Sequence, residues 1–284
     1  MSSVDYPGGQ LMLTPDIENY PGFPSGSGAD LINTVRNQVT NFGADIVEGR
    51  AIKIDFDILP NSLSEVRNHV VYTSESQVFV APKVIIATGA VARRLGVLGE
   101  DLFYGVGVSS CATCDGAFFA DKDVVVVGGG DVAVEDALYL TNHANTVTVI
   151  HRRDSLRATS PQARALLDHP KVTVIWDTVL TTIDGSQKVE KVVLKNLKKD
   201  ETFDLPVEGV FVAIGHDPQN ELAFRGGVQV LDLDDAGYIL AQGTRTNIPG
   251  VFVAGDIADS IYRQAITAAA SGAQAAIDAT RELL

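Results

Sequence analysis

The chain has 284 residues, 45% hydrophobic and 20% charged, which is long for one core and predicts two domains of a globular protein. A formal charge of −14 argues against general nucleic-acid binding and against adhesion to anionic membranes, and no apolar run is long enough to span a bilayer. Two cysteines are too few for a secreted disulfide scaffold and no secretory signal pattern opens the chain, so the expected setting is reducing and cytoplasmic.

In chain order, residues 1–30 are rich in Gly and Pro and read as loop. Asp30 is placed to cap a helix over about 31–42 that ends at Gly43. Short strands are predicted near 45–47 and 53–56, a hairpin over 70–73 and 77–80, and a buried strand over 84–87 that runs into Thr88, Gly89 and Ala90. Gly26-x-Gly28 follows a proline loop and Gly105-x-Gly107 lacks a buried strand before it, so neither reads as a nucleotide turn.

Both cysteines fall in "SSCATCDG", residues 109–116. A zinc site needs four ligands, Cys111 and Cys114 supply two, and no two of the five histidines have ligand spacing. A structural disulfide across two residues closes too small a loop to stabilise much. A redox-active pair is the reading that remains. At a helix start the dipole favours the thiolate. Asp115 is placed to shuttle the proton that dithiol chemistry requires, and helix capping, its plainer role, is compatible with that.

From Asp123 onward, strand and helix alternate. "DVVVV" (123–127) is a continuous apolar run of the kind buried on both faces of a parallel sheet. Gly128-Gly129-Gly130-Asp131-Val132-Ala133 fits G-x-G-x-x-A, with a strand before it and a helix over about 132–141 after it. Gly128, Gly130, Asp131 and Ala133 are therefore the candidate dinucleotide contacts, with a pyrophosphate at the helix N-terminus. At the end of the next strand (146–150) an NAD site usually carries an acidic residue. His151, Arg152 and Arg153 stand there instead, with Arg157 close behind. Guanidinium groups hold a 2′-phosphate that a carboxylate would repel, which points to NADPH; the plain alternative is a solvated basic patch. Further along, a helix is predicted over 162–167 and strands over 172–176, 189–194 and 209–213. "GVFVAGD" (250–256) reads as strand and turn, and an alanine-rich helix covers about 263–283. Nicotinamide delivers two electrons at once, and a flavin commonly sits between it and a disulfide, so a flavin site is also expected.

Taken in order, "SSCATCDG", "GGGDVAVEDALYLT", "HRRDSLRAT", "FVAIGHDP", "IPGVFVAGD" and "YRQAITAAASGAQAAIDA" resemble the low-molecular-weight NADPH-dependent thioredoxin reductases. "GGQLMLTPDIENYPGFP" is similar to that family's early flavin-contacting loop, and the resemblance spans nearly the whole chain. It implies an α/β homodimeric flavoprotein with two Rossmann-like domains of the three-layer ββα type. The FAD domain would be discontinuous, residues 1–91 and 219–284, around an NADPH domain of residues 92–218 that carries the CxxC. By the same resemblance Cys114 faces the flavin, Cys111 attacks the disulfide of thioredoxin, and Asp115 is the acid–base residue. Gln10, Asn19, Asp256, Arg263, Gln264 and Ala265 match the family's FAD contacts.

One departure is large. The family opens with its own strand, glycine turn, helix and second strand for the ADP half of FAD, and this chain starts after that unit. A fragment or mis-started frame is the favoured explanation, over a split protein completed in trans or a degenerate paralogue. Two other functions compete with thioredoxin reduction. One is a non-catalytic NADPH-binding module. The other is the reductase partner of a peroxidase, which typically carries an extra N-terminal module and lacks the paired arginines.

Overall fold

Val124, Val125, Val126 and Val127 organise one half of the protein in the computed structural model, which describes residues 8–57 and 68–284. The start of the predicted opening loop, residues 1–7, lies outside the described residues. The chain divides into two units, Ala92–His216 and Met1–Val91 with Asp217–Leu284.

In the first unit the strand Asp123–Gly128 is the middle of a five-stranded sheet. Its neighbours are Gly209–Ala213, then Val108–Ser109 on one side, and Thr146–Ile150, then Val172–Ile175 on the other, all parallel. Successive side chains of a strand point to opposite faces. Val124 and Val126 therefore meet Ala133, Val134, Ala137, Leu140 and Leu166 of the helices Asp131–Leu140 and Gln162–Leu167. Val125 and Val127 meet Leu180, Ile183, Val192 and Leu194 from an antiparallel sheet of Thr178–Gly185, Val189–Asn196 and Glu201–Pro206. Both faces are covered, and each fully buried valine stabilises the sheet by roughly 1.5–3 kcal/mol. Helices, parallel sheet and antiparallel sheet make the three-layer α/β arrangement.

The second unit repeats the idea with fewer strands. Val84–Ile86 and Val251–Val253 pair in parallel. Phe252 and Ala254 pack with Ala275 and Ala279 of the helix Ala265–Arg281. Ile86, Val251 and Val253 turn the other way onto Ile54 and Phe56, beside the antiparallel strands Ala51–Asp55, His69–Thr73 and Val78–Ala81. The predicted hairpin is the pair His69–Thr73 and Val78–Ala81.

Three expectations differ from the structure. The helix predicted from Asp30 is Gly28–Asn41, capped by Ser27, with Asp30 returning a bond to the Ser27 N–H as the other half of a capping box. No strand forms at 45–47: Ile46 and Val47 are 40% and 49% exposed and pair with no strand among the described residues. The last helix starts at Ala265 rather than 263, because Arg263 has φ 48° and Gln264 is extended.

Candidate redox and nucleotide-binding sites

The strand Val108–Ser109, held parallel to Gly209–Ala213, delivers the chain to the four-residue helix Ala112–Asp115. Cys111 and Cys114 form a disulfide, which ties up both sulfurs and removes the half-zinc reading. Cys111 is the N-cap, and its Sγ accepts from the Cys114 N–H at 3.2 Å. Cys111 is half-buried and Cys114 exposed. Burial holds the Asp115 carboxyl above the usual carboxylate range, and a hydrogen bond from the Ser109 side chain opposes that rise. Asp115 makes no side-chain cap on the turn Gly116–Phe119. Ser109 also bonds the main chain of Cys111, accepting from its N–H at 3.0 Å. On the other side of the chain, the Tyr104 hydroxyl lies 3.0 Å from that of Ser110, and the Arg94 guanidinium stacks 3.3 Å over the Tyr104 ring. Ser109, Tyr104 and Arg94 were not among the sequence candidates; two adjacent serines give no hint of which one turns inward.

At the end of Asp123–Gly128 the glycine turn is crowded. A Cβ on Gly128 would stand 2.6 Å from the Cβ of Ala133, and one on Gly129 would stand 2.3 Å from the His151 ring. Gly130 begins the helix Asp131–Leu140 without a side-chain cap, leaving first-turn N–H groups for an anion. A Cβ on Gly130 would lie 3.4 Å from the Arg157 guanidinium. The segment carrying Arg157 is folded over the turn. Gly129 O accepts from Arg157 N at 2.6 Å and Ala158 N at 3.1 Å, and Asp131 Oδ1 accepts from Thr159 N and Ser160 N, both at 3.1 Å. Those bonds, Ser160 first, hold the Asp131 carboxyl below its ordinary range. Asp131 is thus engaged with backbone, and its carboxylate is kept off the place where a phosphate would repel it.

Arg152, Arg153 and Arg157 are exposed and, among the described residues, join no ion pair. The nearby acids Asp154 and Asp177 instead engage Lys198, at 3.5 and 3.0 Å. His151 differs from its neighbours. Its ring is 5% exposed, lies under Gly129 and meets Trp176 edge-on at 6.2 Å. Burial pushes its pKa down, and its Nε2 is buried without a hydrogen-bond partner among the described residues. Open guanidinium groups beside a glycine turn that tolerates no side chain at Gly128 or Gly129 fit a 2′-phosphorylated dinucleotide.

The other unit gathers most of the flavin candidates. Asp256 lies in the turn Gly255–Ile257, just after Val251–Val253. Its carboxyl is pushed up to about 6, by burial first and then by Asp259, with Arg263 opposing. Asp256 Oδ1 is buried without a hydrogen-bond partner among the described residues. Such an orphan acceptor fits the hydroxyl groups of FAD. Asp259, which the sequence reading did not single out, accepts from the N–H groups of Ile261, Tyr262 and Arg263 at 3.0, 2.7 and 3.0 Å and so shapes the bend. Gln264 caps the helix through reciprocal bonds with Thr267, and Ala265 is its first residue. Asn19 Nδ2 donates to Gln264 Oε1 at 3.2 Å, joining the early loop to this turn. The Gln10 side-chain amide donates to Ala90 O.

A dinucleotide-fed disulfide oxidoreductase is the class of protein that this fold and these sites define. The chain belongs to the family described as pyridine nucleotide-disulphide oxidoreductase, whose model matches residues 3–272. It is 47% identical over 280 residues to a thioredoxin reductase of Streptomyces clavuligerus, covering 97% of this chain and 83% of that protein. It is 48% identical over 279 residues to one of Mycolicibacterium smegmatis, covering 97% and 86%. The solved thioredoxin reductase from Giardia duodenalis aligns with a TM-score of 0.87 at 40% identity, covering 96% of this chain and 87% of that one.

Proposed function

We infer that the chain is an NADPH-dependent thioredoxin-disulfide reductase working through Cys111 and Cys114. The observation that carries this is the disulfide itself: the only two cysteines are joined at a helix start, in the same unit as the arginine-flanked glycine turn. FAD and NADPH are the cofactors. Bound flavin supplies the two-electron link between nicotinamide and the disulfide.

In this reading Ala92–His216 binds NADPH, with Arg152, Arg153 and Arg157 holding the 2′-phosphate and the Gly128 and Gly130 turn receiving the pyrophosphate. The unit of Met1–Val91 and Asp217–Leu284 binds FAD, with Asp256 accepting from its hydroxyls just ahead of the capped start of Ala265–Arg281. Asn19, Arg263 and Gln264 shape that pocket, and Gln10 tethers the early loop. Once the dithiol is reduced, the Cys111 thiolate attacks one sulfur of the thioredoxin disulfide and forms a mixed disulfide. Cys114 then attacks Cys111, the enzyme disulfide re-forms, and two electrons and two protons leave with the substrate as two thiols. Asp115 takes the proton from the attacking thiol and returns it to the leaving sulfur. A homodimer in the cytoplasm completes the reading, supported by the family resemblance and the sparse cysteine content.

The test is Cys114→Ser in the flavin-loaded full chain. Thioredoxin reduction should fall by at least about a thousandfold, since no resolving sulfur remains, while NADPH affinity measured by fluorescence stays unchanged. Retained reduction would overturn the assignment.

A further inference from the structure

We propose that Asp131 is a specificity-determining positioning residue: its carboxylate latches residues 157–160 over the glycine turn and so holds the Arg157 guanidinium where the 2′-phosphate of the coenzyme docks. The inference rests on the reading of this turn as an NADPH site.

Four successive main-chain N–H groups, those of Arg157, Ala158, Thr159 and Ser160, go to two acceptors that flank Gly130. Gly129 O takes the first two, at 2.6 and 3.1 Å, and Asp131 Oδ1 takes the second two, both at 3.1 Å. The segment is thereby stitched to both sides of the glycine, and the Arg157 guanidinium lies 3.4 Å from where a Gly130 Cβ would stand. Leu156 and Ala158 pack against the buried helix cluster and anchor the segment from below. Arg157, between them, is exposed, and among the described residues no ion pair fixes its side chain. Its placement therefore depends on the backbone that carries it.

That dependence has a consequence for coenzyme choice. A guanidinium on a loose segment loses backbone and rotamer freedom when it grips a phosphate, and the loss subtracts from affinity. A segment tied down beforehand has already met that cost on folding. Asp131 also occupies the first helical position of Asp131–Leu140, where an acid favours the helix dipole whatever the segment does. That plainer role would change stability and would treat coenzymes with and without a 2′-phosphate alike. A latch on Arg157 acts only where there is a 2′-phosphate to hold.

The experiment titrates the full chain with NADPH and with NADH in isothermal calorimetry, where no turnover is needed. Asp131→Ala is expected to weaken NADPH binding about three- to tenfold and to leave NADH binding unchanged, as for loss of hydrogen bonds to a charged group. Asp131→Asn removes the same charge but keeps an acceptor, and stays within about twofold of wild type. Asp131→Ala combined with Arg157→Ala binds NADPH no worse than Arg157→Ala alone, because the latch has nothing left to position. Unchanged NADPH affinity in Asp131→Ala, equal weakening of both coenzymes, an Asp131→Asn variant as weak as Asp131→Ala, or full additivity with Arg157→Ala overturns this inference. A wild-type preference for NADPH then leaves the NADPH reading standing. A wild-type chain that binds the two coenzymes equally overturns both. Should Asp131→Ala fail to fold by circular dichroism, Asp131→Ser carries the same comparison, because its oxygen stops one bond short of the two amides.

Discussion

Asp131 and Asp256 lie one in each unit, each just beyond a parallel strand and close to a turn. Asp131 is satisfied by the N–H groups of Thr159 and Ser160, and its carboxyl is held below its ordinary range. Asp256 is buried, has a partnerless Oδ1 among the described residues, and is raised to about 6. The same side chain is scaffold in one place and a ligand acceptor in the other, according to whether the backbone has already met its needs. The helices beside them show the converse. Asp131–Leu140 begins at a glycine without a side-chain cap, while Ala265–Arg281 begins at a capping box. One unit keeps free donors for a phosphate, and the other keeps a free acceptor for hydroxyls.

The sharpest way to break this comparison is Asp256→Asn. A carboxyl raised from 3.8 to about 6 binds its proton more tightly folded than unfolded. Its contribution is present below the unfolded value and is lost as pH rises through about 6, at most about 3 kcal/mol in the flavin-free chain. Asp256→Asn should abolish that pH dependence in denaturant melts and also weaken FAD binding in titrations. An unchanged slope would mean that the carboxyl is already satisfied. Next in size, replacing Arg152 and Arg153 together by Ala should raise the KM for NADPH by about ten- to a hundredfold and leave that for NADH nearly unchanged. Equal loss for both coenzymes would point to a solvated patch. Asp131→Asn should have the smallest effect. It keeps an acceptor for Thr159 and Ser160, so the KM for NADPH should hold. The stability from the lowered carboxyl, present near neutral pH and lost as pH falls, should fade in thermal melts.

The central sheet was legible because burial on both faces leaves a continuous apolar run, as at Val124 to Val127. The glycine turn was legible because its neighbours, strand before and helix after, are local. The strands Thr178–Gly185 and Glu201–Pro206 were not legible, since their burial is interrupted by exposed and half-buried positions such as Thr181, Asp184 and Asp204. Within the sites, His151 read as a phosphate ligand and Asp131 as a cofactor contact. What the structure adds, Gly129 against the His151 ring and the amides of residues 159 and 160 on Asp131, lies more than twenty residues away in sequence.

By itself, the sequence determined the chemistry available: two thiols, a neighbouring acid, a glycine turn and a guanidinium cluster, in an order that identifies the family. Only the tertiary structure decided which polar groups are already satisfied and which remain open, because a hydrogen bond is a matter of distance and direction between segments that the chain order leaves far apart. Ser109 and Ser110 are identical neighbours, yet the strand's pleat turns the first toward the Cys111 main chain and the second toward Tyr104.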